Sequence, residues 1–481
     1  MADDALTDAL RRLAGSGKRA VVDHLGGGER TRIIVVLAAV LGLSSADAST
    51  VGAAAIPLRH ALRIDNTDIG LLVSVTSIVA AVTTLPFGVL ADRVRRTWTL
   101  AAAIVLWGVA MIWSATVPDF GHLLLARAFL GAATAAAGPV VASLVGDYFD
   151  SAERGRIYGY ILAGELVGAG IGFGVTGGIA AVSWQAAFVV LALPAFALAW
   201  LVFRLPEPAR GRHERGDPAA HATTDAQRLA AERGIAPDPE LVLATDARRL
   251  GLLDAARYIL RIRTNVALIA ASAAGYYFLA GVQTFGVSFV TEQYRVPQVV
   301  GTLVLIVVGG GSIAGVLLGG SLGDAWLRRG QLNARILIST VGATGAVILF
   351  APAIFTRSAL SALPYITVAA LMLSAQNPPL DAARLDIMVP LLWGRAEGVR
   401  TVLRTVAQAL APLLFGGVSD YVFGGGRSGL QWTFAVMLVP LAASAFFLYR
   451  ALGTYPRDVA TAAASARRQN AKIDRPLSST A

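Results

Sequence analysis

The 481-residue chain contains no cysteine, which excludes disulfides, thiolate metal sites and a cysteine nucleophile. Histidine is scarce, at five residues, and no His-Glu-x-x-His or similar metal-ligand spacing occurs, so neither a metal nor an organic cofactor is expected. Lysine occurs only at Lys18 and Lys472; nearly all basic residues are arginine and alanine is abundant, the usage of a GC-rich bacterial genome. Charged residues make up 15% of the chain and hydrophobic ones 55%, with a mean hydropathy of +0.62. That is too apolar for a soluble protein of this length and marks a polytopic membrane protein. A net charge of +10 would point to nucleic acid in a soluble chain. Here the arginines lie in connecting segments, the bias of cytoplasmic loops, and no nucleic-acid partner is expected.

Crossing roughly 30 Å of hydrocarbon takes about 20 mainly apolar residues. Six such runs fall at 33–57, 69–91, 97–116, 121–146, 156–182 and 185–204, and six more at 264–290, 298–322, 333–355, 360–380, 398–419 and 430–452. The sequence thus predicts an all-α membrane protein: a polar tail (1–32), a six-helix bundle (33–204), a surface linker (205–262) with a short helix near 240–258, a second bundle (263–452), and a polar, disordered tail (453–481). Residues 1–32 do not read as a cleaved signal peptide. An even number of spans puts both tails and the linker on one side. Arg93, Arg95, Arg96, Arg154, Arg156, Arg328, Arg329 and Arg395 make that side cytoplasmic, against Arg295, Arg357 and Arg427 opposite.

The two halves share a loop. Gly88-Val-Leu-Ala-Asp92-Arg93-Val94-Arg95-Arg96 follows the second run, and Gly320-Ser-Leu-Gly-Asp324 with Arg328 and Arg329 follows the eighth, about 230 residues later. Glu153-Arg154-Gly155-Arg156 has a partial counterpart in Gly394-Arg395-Ala396-Glu397-Gly398. Gly88 admits a neighbouring helix at close range, and Asp92 suits the N-terminus of an adjacent helix. A contact of that kind between half-molecules could form in one conformation and break in another. Gly88, Asp92, Arg93, Arg96, Gly320 and Asp324 are therefore candidates for a conformational latch. This loop resembles the signature of the major facilitator superfamily, although Arg95 stands where that family usually has a small residue. The resemblance, over about 33–452, implies the major facilitator fold of twelve transmembrane helices in two six-helix bundles.

Three charges lie well inside the first-half runs: Asp47, Arg127 and Glu165. Such groups are costly in a bilayer unless paired or facing water, and they are candidates for proton coupling. The natural partner of Arg127 is Asp47 or Glu165. Arg127-Ala-Phe-Leu-Gly131 resembles the fourth-span signature of the superfamily, whose arginine is tied to protons. Gly164-Glu165-Leu-Val-Gly168-Ala-Gly170-Ile-Gly172 carries glycines at four-residue spacing, a smooth face for another helix. It is similar to the fifth-span motif of superfamily antiporters without that motif's proline. Gly172-Phe-Gly174-Val-Thr-Gly177 matches the dinucleotide pattern literally, but no βαβ unit surrounds it.

The second half offers candidates for binding. The seventh run holds Tyr276, Tyr277, Gln283 and Phe285; the tenth holds Gln376-Asn377-Pro378-Pro379, where two prolines must interrupt the helix. Arg400 and Arg404 share one face of the eleventh, fit for an anionic headgroup or for a helix end at the cytoplasmic surface. Ser45 and Thr134 complete the set from the first half. Asp47, Arg127 and the Trp184-Gln185 start of the sixth run resemble the spinster-like branch of the superfamily. That resemblance implies a monomeric proton-linked carrier of lysophospholipids or similar amphiphiles in the bacterial inner membrane, with membrane lipids as neighbours. Thr134 departs from it, since the bacterial members carry an acidic residue there. A multidrug antiporter of the same fold and a non-transporting scaffold or sensor remain alternatives. No nucleophile and base stand at a spacing that suggests an enzyme.

Overall fold

The computed structural model describes residues 27–149, 154–208, 224–245, 247 and 250–473. The side chains of 85–93, which include Gly88, Asp92 and Arg93, lie outside the described set, as do Glu153 and the side chains of Arg154 and Arg156. Twelve helices are long and apolar enough to cross a membrane, and they fall on the twelve expected runs. Spans one to six are Gly28–Ala53, Asn66–Arg93, Arg96–Ala115, Phe120–Thr134 continued by Ala137–Tyr148, Arg154–Ile171 continued through a π turn (Gly172–Thr176), and Trp184–Phe203. Spans seven to twelve are Arg263–Tyr294, Gln298–Arg328, Ala334–Phe355, Ala359–Ala375 continued by Asn377–Asp386, Trp393–Gly417 ending in a second π turn (Val418–Val422), and Gly426–Ile473. The break in the tenth span falls at Gln376, directly before the two prolines.

Within each bundle, helices meet where side chains vanish. A Cβ on Gly168 would lie 1.9 Å from the Gly42 carbonyl oxygen, one on Gly172 2.4 Å from that of Ala46, and one on Gly164 2.7 Å from the Ala38 Cβ. The four-residue glycine spacing of the fifth span is thus its seam with the first. Gly311, Gly315 and Gly319 of the eighth span do the same against Thr367, Leu371 and Ala375 of the tenth.

The two halves repeat in atomic detail. Arg63 and Arg295 close the first-half helix Ala55–Leu62 and the seventh span in left-handed conformation, at φ 55° and 54°. Arg96, at the start of the third span, pairs with Asp147, 51 residues on; Arg335, at the start of the ninth, pairs with Asp386 at 2.6 Å, again 51 residues on.

The linker and last helix differ from expectation. Linker helices form at Asp225–Glu232 and Leu252–Arg261, not across 240–258. The twelfth span runs on as one helix to Ile473, so residues 453–473 are ordered helix and not a disordered tail. The reason is packing: Tyr455, Val459, Ala460, Ala462 and Ala463 are buried, and the linker lies along them. Ser465 Oγ accepts from Leu243 N at 3.0 Å, Gln469 Oε1 from Ala247 N at 3.2 Å, and Thr461 Oγ1 from Asp238 N at 2.8 Å. Gln227 Nε2 donates to the Asp386 carbonyl at 2.9 Å, and Arg395 to those of Ala247 and Leu250. These contacts join the linker to the second bundle.

Candidate functional site

Asp47 and Arg127 form a buried ion pair in the first bundle. Arg127 Nη1 donates to Asp47 Oδ1 at 2.8 Å and Nη2 to Oδ2 at 3.5 Å, and the two residues are 3% and 2% exposed. Met111 Sδ lies 3.9 Å from the same Nη1, while Arg127 Nε has no acceptor among the described residues. Of the two partners expected for Arg127, the structure provides Asp47. Glu165 makes no ion pair with Arg127 among the described residues.

Between the bundles lies a cavity of about 360 Å³. Ser44 and Thr134 line it from the first half, Gln283, Thr284, Thr405 and Gln408 from the second. Of the expected binding residues, Thr134 and Gln283 are there, and Ser44 takes the place expected for its neighbour Ser45. Ser44 and Thr134 also line a second cavity of about 20 Å³ beside Trp107, whose indole N–H is buried without an acceptor among the described residues. Trp107 and Met111 share a face of the third span, so this small space lies next to the Arg127 contact.

Other expected binding residues face elsewhere. Phe285 is fully buried, stacked on Phe415 with ring centroids 6.4 Å apart, and Tyr277 donates to Met437 Sδ at 3.4 Å. Both belong to the aromatic core of the second bundle, where Tyr277 and Phe285 each pack against the Phe415 ring. Gln376 is 3% exposed, and neither it nor Asn377 lines the cavity. Arg400 is 5% exposed and paired, with Asp381 at 3.2 Å, Glu397 in direct contact and Ser272 Oγ at 3.4 Å. Arg384 joins the same acids at 2.8 and 2.7 Å, giving two arginines to two carboxylates. Arg404, one turn deeper, has no ion pair among those the structure describes; its guanidinium lies 4.5 Å from the Tyr276 ring centroid.

Of the latch candidates, Arg96, Gly320 and Asp324 have described surroundings. Arg96 pairs with Asp147 and with Glu207 (3.0 Å), and also donates to Ser143 Oγ and the Pro208 carbonyl, partners from the first bundle and the start of the linker. Burial raises the Glu207 pKa, but the amide of Thr97 and the Arg96 guanidinium outweigh it and hold the carboxyl below its ordinary value. Asp324 pairs with Arg335 at 2.9 Å inside the second bundle, and Gly320 packs against Pro378. These described members tie spans within a bundle rather than across the two. The cross-bundle ties sit at the opposite end, away from the linker. Asp420 Oδ2 accepts from Thr67 N at 2.7 Å and Thr67 Oγ1 at 2.9 Å, and Oδ1 from Asn66 Nδ2 at 3.0 Å. A carboxylate of one bundle thereby caps the second span of the other. Arg59 pairs with Glu292 beside it, and Gln298 donates to the Ala53 carbonyl at 2.8 Å. At this end a Cβ on Gly52, Gly70 or Gly416 would lie 2.2–2.3 Å from a carbonyl oxygen of the facing bundle. The cavity begins where this seam ends, since Gln283, Thr284 and Pro412 belong to both. Asp420 gave no signal in the sequence beyond lying at the end of an apolar run.

The Major Facilitator Superfamily model matches residues 37–388. The chain belongs to this superfamily. Among curated proteins it is similar to Protein spinster of Drosophila melanogaster, 27% identical over 200 residues that cover 41% of this chain and 33% of that protein. It is also similar to the Hexuronate transporter of Escherichia coli (strain K12), 30% identical over 207 residues covering 41% and 48%. The chain thus spans less than half the length of these relatives. Among solved structures it shares its fold with a bacterial homolog of the human lysosomal transporter Spinster in an inward-facing, unoccupied conformation: TM-score 0.73, 17% identity, 90% of this chain and 98% of that one. Its twelve spans make it a multi-pass membrane protein of this superfamily.

Proposed function

We propose that the chain is a proton-coupled, alternating-access carrier of an amphiphilic anion such as a lysophospholipid, with linker and termini cytoplasmic. The observation that carries this reading is the pair of unlike arginines, one in each bundle: Arg127, neutralised by a carboxylate at 2.8 Å, and Arg404, held by a tyrosine ring. Protonation of Asp47 releases Arg127 and alters the first bundle, while Arg404 takes the negative group of the substrate. Glu165 of the fifth span is the second titratable group, whose proton takes part in exchange. The resemblance of the sequence to the spinster-like branch, which implies a lipid, agrees with the similarity to Protein spinster. A second reading, a small organic acid, is favoured by the hydroxyl and amide lining of a cavity of about 360 Å³.

The test is uptake into liposomes by the reconstituted chain, with and without a pH gradient, of a lysophospholipid panel and a sugar-acid panel. Arg404→Gln removes a charge-assisted contact worth about 1.5–3 kcal/mol, so apparent affinity falls at least about tenfold. Gradient-driven movement of lysophospholipids supports the first reading and of sugar acids the second. Uptake indifferent to both the gradient and Arg404→Gln would sink both.

A further inference from the structure

The linker helix Leu252–Arg261 has two faces. Ala255, Ile259 and Ile262 are buried against the second bundle at 0%, 0% and 3% exposure. On the other side Leu253 is 73% and Leu260 44% exposed, with Arg257, Arg261 and Arg263 exposed among them. The positions 253, 257, 260 and 261 follow the i, i+4, i+7, i+8 pattern of a single stripe. Asp254 is the acidic group on that side; its carboxylate stands 3.5 Å from Arg257, both well exposed, a pair of little strength.

What the stripe meets is fixed by covalent continuity. Ile262 is extended, at φ −74° and ψ 110°, and the seventh span begins at the next residue, Arg263. That span has 32 residues, about 48 Å of helix, against a bilayer of roughly 40–45 Å including headgroups. Its first turn therefore stands at headgroup level, and so does the helix joined to it by one residue. Two exposed leucines flanked by three arginines at that depth match the acyl boundary and its phosphates.

We propose that the helix Leu252–Arg261, with Arg263, is a docking surface for the headgroups of anionic phospholipids. It couples the linker-side face of the second bundle to the composition of the surrounding leaflet. Each arginine near an anionic surface contributes about fivefold to the local preference for anionic lipid, so the three together contribute roughly a hundredfold.

The absence of native cysteine permits a direct test. Leu253→Cys and, separately, Leu260→Cys are labelled with an environment-sensitive fluorophore in the full chain and reconstituted into vesicles. Quenching by nitroxide-labelled phosphatidylglycerol is compared with that by nitroxide-labelled phosphatidylcholine at equal mole fraction. Phosphatidylglycerol is expected to quench at far lower mole fraction, the difference shrinking in high salt and vanishing in Arg257→Gln/Arg261→Gln/Arg263→Gln. Equal quenching by the two lipids overturns the headgroup assignment. Quenching by aqueous iodide alone overturns the membrane assignment and leaves the stripe to water or to a protein. Neither outcome depends on which solute the carrier moves.

Discussion

Replacing Gly70 by alanine places a methyl group 2.2 Å from the Pro412 carbonyl oxygen and 2.9 Å from the Leu413 Cα. These are backbone atoms with no rotamer to yield, and ordinary contact requires a separation of about 1 Å more. They belong to the other bundle, so the strain is relieved if the two bundles part at this end. Parting weakens the bonds that Leu413 N donates to Ser74 Oγ (3.2 Å) and Thr67 N donates to Asp420 (2.7 Å). Overpacking of this kind costs about 1–3 kcal/mol, which shifts the closed-to-open ratio by about 5- to 150-fold. Spin labels at Val182→Cys and Leu360→Cys, 92% and 83% exposed on opposite bundles at this end, report the opening by pulsed electron resonance. The variant should gain a long-distance population at the expense of the short one. Gly168→Ala is the control: its clash is with Gly42 of the same bundle, so it lowers stability without opening the seam. Identical distance distributions in Gly70→Ala and the parent would refute the assignment of these glycines to closure.

Asp47→Asn leaves Arg127 buried without its counter-charge, a loss of about 3 kcal/mol; the thermal midpoint should fall and be partly restored in Asp47→Asn/Arg127→Gln, and an unchanged single variant would show that the pair is solvated. The depressed pKa of Glu207 means that its stabilising contribution is complete above the ordinary value of 4.5 and is lost as pH falls through the lower folded value. Glu207→Gln should therefore flatten the acid limb of a stability-against-pH curve, with little left to lose below pH 4; an acid limb identical to that of the parent chain would count against this role.

The spans were legible because hydropathy depends on composition alone, and Asp47–Arg127 because two charges in hydrocarbon have few other ways to be satisfied. What the sequence did not reveal depends on direction and distance. Tyr276 and Tyr277 are adjacent, yet a helix turns about 100° between them, and no local feature says that one meets Arg404 and the other Met437. Arg400 and Arg404 share a helical face, but of the carboxylates that pair with the first, Asp381 comes from the tenth span. The region after Arg450 reads as polar because of Arg457, Arg467 and Arg468, while its alanines and Val459 find their partner in a linker about 220 residues earlier. A cap supplied by Asp420 to a helix about 350 residues away has no local signature at all.

The twelfth helix, 48 residues or about 72 Å long, is more than twice the thickness of the hydrocarbon it crosses. With the linker bonded along it, this rod turns as one piece with the bundle it grows from. Any tilt at the bilayer midplane is magnified at its free tip in proportion to the length of the arm. A cargo, label or partner attached near Ile473 would swing through a wider arc than any residue near the cavity, making the chain's own end a pointer to the state of a carrier whose working parts move by far less.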